Sequence, residues 1–156
     1  MRKKSHISLA RYIVNNMEDN DLKKHKLSFY IGSVLPDIKP SFVYKRHEMD
    51  GTYPDIRRHI ERLSEGRKLV EKKKGRKYYM DLGQISHYLA DYFTYPHNKI
   101  YPGSLKDHCS YEEKLKRDLR RYIRTDAANR IKQIIWNLTV PEIFAILSRN
   151  PMMIIL

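Results

Sequence analysis

The stretch Leu82-Gly83-Gln84-Ile85-Ser86-His87-Tyr88-Leu89-Ala90-Asp91-Tyr92-Phe93-Thr94-Tyr95-Pro96-His97 decides how the rest of the chain reads. Its apolar residues recur at helical spacing, so it predicts a helix over 82–95 with Asp81 as the N-cap and Pro96 closing it. A four-residue step places His87 and Asp91 on one face of that helix. Alone, such a pair reads as a surface ion pair. Tyr88, Leu89, Tyr92 and Phe93, however, leave this helix few exposed positions, and a buried imidazole and carboxylate need partners or a metal.

Moving outward, His108 and Glu112 repeat the same spacing, and His97 follows Pro96 at a turn that can swing it back toward them. Two helices can thus each present a nitrogen–oxygen pair to one centre. Imidazole with carboxylate is the donor set of catalytic zinc, which leaves a position for water. Cys109 is the single cysteine, so there is neither an intramolecular disulfide nor a thiolate zinc site. No Gly-rich phosphate loop, nucleophile elbow or zinc-finger pattern competes with the histidine–carboxylate cluster.

Elsewhere the pattern is also helical. Ser5 can cap a first helix with Ile7, Ala10, Ile13, Val14 and Met17 on one stripe; a second runs from about Asp21 to Leu35 and stops near Pro36. The segment 39–53 reads as an irregular loop, and a third helix starts at Pro54 and fades into the basic run around Gly75. A fifth begins near Asp107, with Tyr111, Leu115, Leu119, Tyr122 and Ile123 on its apolar side. Two more are expected over 126–138 and 141–149, the first holding the sole tryptophan, Trp136, as a core residue. Without a repeat or linker, residues 1–156 are expected to form a single all-α, multi-helical domain.

With 41% hydrophobic and 31% charged residues, the composition is that of a folded protein rather than a disordered or fibrous one. A formal charge of +13 favours encounters with anions: a soluble phosphoester, an anionic membrane surface or nucleic acid. Arg11 interrupts the apolar stretch that a signal peptide would need, and no small-residue cleavage site follows. Glu142, Arg149, Asn150 and Pro151 break the apolar C-terminal stretch. The expectation is a cytoplasmic chain without a membrane anchor, with peripheral membrane contact open.

The segment 82–91, then Pro96-His97, then His108-Cys109-Ser110-Tyr111-Glu112, resembles the zinc-dependent phospholipase C family of bacteria. Gly32-Ser33-Val34-Leu35-Pro36-Asp37 is similar to that family's Gly-x-x-x-Pro-Asp segment, and Arg46-His47 with Asp50-Gly51-Thr52-Tyr53 to its next ligand region. The resemblance, which spans about residues 5 to 115, implies an all-helical fold shared with single-strand-specific nucleases that use three zinc ions. It implies two to three zinc ions: one held by Asp37, His47, His87 and Asp91, a second by His97, His108 and Glu112, and a third by His6 with Asp91 bridging. His59 competes with His47 for its place, and His25 is expected to be a solvated residue. Secreted members begin, after signal removal, with a tryptophan whose amine and carbonyl complete the third site; this chain starts with Met1.

The activity implied is hydrolysis of a phosphodiester by metal-activated water, with Asp37 orienting or deprotonating that water and a phospholipid as substrate. Two alternatives stay open. The same chemistry suits single-stranded nucleic acid or a soluble phosphodiester, with tyrosines to stack bases, and a non-catalytic protein could keep metal for structure.

Overall fold

The computed structural model describes residues 1–39, 49–69, 75–97, 101–126 and 128. Among them are six α-helices and no strand: α1 (Lys3–Asn16), α2 (Asn20–Lys24), α3 (Lys26–Val34), α4 (Met49–Leu69), α5 (Arg76–Tyr92) and α6 (Leu105–Tyr122). Short 3₁₀ turns cover Leu35–Asp37 and Tyr95–His97. None of the described helices is long and apolar enough to cross a membrane.

The central element is α5, and its sequence shows why. Tyr79, Gly83, His87 and Asp91 follow one another at four-residue steps, and all four are buried. This stripe begins as aromatic core, narrows to a glycine and ends in two polar side chains. At its first end Tyr79 joins Ala10 and Val14 of α1, Leu22 of α2 and Phe29 of α3. A second apolar cluster, Ile56 with Ile85 and Tyr92, fastens α4 to another side of α5.

Gly32 and Gly83 fix how closely α3 approaches α5. A Cβ on Gly32 would fall 2.0 Å from the Met80 carbonyl oxygen, and one on Gly83 would fall 2.3 Å from that of Phe29. Only glycine permits that approach, which brings the end of α3 and the turn after it against the polar end of the stripe.

Several boundaries differ from the sequence reading, each for a visible reason. α5 starts at Arg76, which puts Asp81 inside the helix instead of at its cap. The added turn carries Tyr79 into the core, and Asp81 pairs with Lys77 at 3.2 Å. Similarly, α1 begins at Lys3, so Ser5 is a buried interior residue rather than a cap. α4 begins at Met49 with Pro54 inside it, although 49–53 read as loop. As the sixth residue, Pro54 costs the helix one i→i−4 hydrogen bond, to the carbonyl of residue 50, and the turn before it is held by a 2.6 Å hydrogen bond between the buried Thr52 hydroxyl and Tyr92 Oη.

The expected second helix is two, because the chain breaks at His25. His25 is not simply solvated: its ring stacks on Tyr79 with centroids 5.1 Å apart. α6 starts at Leu105 behind a capping box in which Ser104 and Asp107 exchange hydrogen bonds. The two helices expected over 126–138 and 141–149, including Trp136, lie outside the described residues apart from the start of the first. There Ala128 is buried and its carbonyl accepts a hydrogen bond from Tyr12.

Candidate metal centre

Five elements converge on the polar end of the α5 stripe. α1 contributes His6, the 3₁₀ turn after α3 contributes Asp37, α5 contributes His87 and Asp91, the turn after α5 contributes His97, and α6 contributes His108 and Glu112. His6, His87 and Asp91 form one group whose donor atoms all lie within 4.8 Å of one another, and His97, His108 and Glu112 form a second.

Asp91 is fully buried and faces both groups. Its Oδ2 lies 3.3 Å from His87 Nε2, while its Oδ1 lies 3.3 Å from His6 Nε2 and 3.9 Å from His97 Nε2. In the second group Glu112 Oε1 is 3.1 Å from His108 Nε2 and 3.5 Å from His97 Nε2. Both i,i+4 pairs therefore meet as the helical period requires. Asp37 completes the rim, with Oδ1 3.7 Å from His87 Nε2 and its carboxylate partly open to solvent.

The orientation of His87 is decisive. Its Nδ1 sits 2.9 Å from the Ser33 carbonyl oxygen, an acceptor, so Nδ1 carries a proton. In the neutral ring Nε2 then presents its lone pair to the carboxylates of Asp37 and Asp91. Electron pair against electron pair is repulsive in a site that is 0% exposed, unless a positive charge lies between them. A second proton on the ring or a metal ion would supply it. A ligand histidine held by a backbone carbonyl through its other nitrogen is a recurrent feature of metal sites.

Two further features fit a cation. Buried His6 Nε2 makes no hydrogen bond of ordinary geometry among the described residues. Its ring stacks on that of His87 with centroids 3.8 Å apart. Burial holds His6 below the usual histidine range despite the opposing pull of Asp91, which leaves a neutral ring with a lone pair to give. The second feature is the α-amino group of Met1, which donates to Asp91 and lies 3.0 Å from His97 Nε2 and 3.3 Å from Glu112 Oε1. An ammonium thus occupies the point where the carboxylates converge. At Glu112, burial works upward, but His97, the Met1 ammonium and His108 outweigh it and hold the carboxyl down at about 2.

Of the eight ligands expected from sequence, the structure brings seven together, and His47 lies outside the described residues. His59 is elsewhere, 3.7 Å from Asp81 on the side of α5 that faces α4. His6 shares a group with His87 and Asp91, whereas the family resemblance implies a separate ion for it. Sequence reasoning passed over one contributor: Ser33 acts through its carbonyl, although it lies inside the Gly32–Asp37 segment that resembles the family. The N-terminal amine, which the resemblance assigns to a tryptophan in secreted members, here belongs to Met1 and lies among the donors.

A model of the family described as zinc dependent phospholipase C matches residues 5–146 of this 156-residue chain. The chain belongs to that family. No curated protein and no solved structure matches it.

Proposed function

We propose that this chain is a zinc-dependent phosphodiester hydrolase of the phospholipase C type, with two to three zinc ions held by His6, Asp37, His47, His87, Asp91, His97, His108 and Glu112. The observation that carries the reading is His87 Nε2 facing Asp37 and Asp91 while Nδ1 is committed to Ser33. That arrangement calls for a cation, and the family supplies zinc as its identity. When bound, zinc supplies Lewis acidity that polarises a phosphoryl oxygen and makes water nucleophilic at neutral pH.

The chain's own residues do the rest. Asp91 turns Oδ2 to His87 and Oδ1 to His6 within its own group, and Oδ1 also lies 3.9 Å from His97 of the second, so it ties the two groups together. Asp37 is the least buried carboxylate bearing on His87, and it lines the cavity that opens from the cluster to solvent. On this reading it orients water and takes its proton. Residues 1–156 act as one domain on this reading.

The test is turnover of bis-p-nitrophenyl phosphate by protein stripped with chelator and then titrated with zinc. Activity should return with zinc in the wild type. Asp37→Asn should lose roughly two to four orders of magnitude of activity while keeping most of its zinc, and His87→Ala should lose both. Wild-type turnover by either variant would overturn the assignment.

A further inference from the structure

We propose that the metal cavity selects a phospholipid whose head group carries negative charge, and that Lys3 and Lys4 are the side chains that select it. The proposal rests on the phosphodiesterase reading above and names its substrate class. A cavity of about 540 Å³ at the cluster is lined by Asp37 and Glu112 of the donor set. Its wall carries Arg2, Lys3, Lys4 and Lys116.

The balance of charge on that wall is one-sided. Arg2 and Lys116 share the Glu113 carboxylate with Arg117, whereas Lys3 and Lys4 form no ion pair among the described residues. Those two carboxylates belong to the donor set, and zinc held there would offset their charge. A choline or ethanolamine head group needs an aromatic or acidic cage for its cation. Among the described residues lining the cavity there is no Phe, Tyr or Trp, and no carboxylate beyond the donor set. A cationic head group therefore meets like charge, whereas a head group with a second anionic group gains attraction on approach and in the bound state.

The adjacent positions matter. Both lysines sit in the first turn of α1, which also carries His6, so the selecting charges and one of the donors ride on the same helix.

The experiment uses water-soluble dihexanoyl lipids below their micelle-forming concentration, so that attraction to a charged surface plays no part. Zinc-loaded protein is assayed on phosphatidylinositol 4-phosphate, phosphatidylglycerol and phosphatidylcholine, with bis-p-nitrophenyl phosphate and a single-stranded oligonucleotide alongside. The expected order of kcat/KM follows head-group negative charge, with at least about a tenfold span from first to last at low ionic strength, as two lysines outside any ion pair among the described residues allow. The double variant Lys3→Glu/Lys4→Glu should compress or invert that order mainly through KM, and Lys3→Arg/Lys4→Arg should retain it.

Turnover of bis-p-nitrophenyl phosphate with equal kcat/KM for the three lipids overturns this proposal and leaves the hydrolase reading standing. Faster cleavage of the oligonucleotide than of any lipid also overturns it. Absence of all turnover overturns both. The wild-type comparison decides the matter even if the glutamate variant fails to fold.

Discussion

At the scale of single residues, Asp91 is where the centre is most exposed to test. Its two oxygens address different histidines, and its burial leaves no water to take their place. Asp91→Asn keeps the size but replaces one carboxylate oxygen with an N–H₂ group, which donates where a metal needs a lone pair. Zinc content should fall by at least half, because both donor groups lose a shared anion, and activity should fall with it. Zinc retained at the wild-type level would show that Asp91 does not hold the metal. His87 and Asp91 were legible from sequence because helical period alone makes them neighbours. Their relation to His6 and Asp37 was visible only through resemblance, since those contacts depend on how three elements pack.

At the scale of elements, the approach of α3 to α5 sets the site. His87 depends on the Ser33 carbonyl, and that carbonyl is where it is because Gly32 and Gly83 let two backbones meet. Gly83→Ala would force a Cβ within 2.3 Å of the Phe29 oxygen. The helices must part, at a cost of about 1–3 kcal/mol or more, and zinc affinity should fall as Ser33 and Asp37 withdraw. Gly51, in α4, has nothing within 4 Å of an added Cβ. Gly51→Ala should therefore stabilise by up to about 1 kcal/mol through helix propensity alone. Thermal melts of the two variants check this: opposite signs are expected, and equal shifts would deny the glycines their role in packing.

Element boundaries were the least legible part of the sequence, and the reasons are physical. Asp81 and Ser5 are good capping residues by type, but burial of Tyr79 and of the start of α1 overrides local capping preference. Pro54 suggested a helix start because proline is favoured there, yet the Thr52–Tyr92 hydrogen bond supports one more turn before it. The His25–Tyr79 stack had no sequence signature at all, since the basic neighbours Lys23, Lys24 and Lys26 suggested a solvated segment.

At the scale of the whole molecule, metal and fold are linked. The donors come from α1, the turn after α3, α5, the turn after α5 and α6, so a bound ion ties together elements that are far apart in sequence. An ion that binds the folded site in preference to the unfolded chain stabilises by RT ln(1 + [L]/Kd), about 4 kcal/mol at a thousandfold excess over Kd. Excess chelator should therefore lower the melting temperature by several degrees, and re-addition of zinc should restore it. An unchanged melting curve would mean that the convergence of donors holds no metal.

The charge of +13 acts at the same scale, drawing anionic molecules toward a cavity whose wall is itself basic. The measurement that bears most directly on the account is the zinc content of protein purified under zinc-replete conditions. Two to three equivalents per chain are predicted, one at each of the two donor groups and a third if His6 holds its own ion with Asp91 bridging; fewer than one equivalent would contradict it.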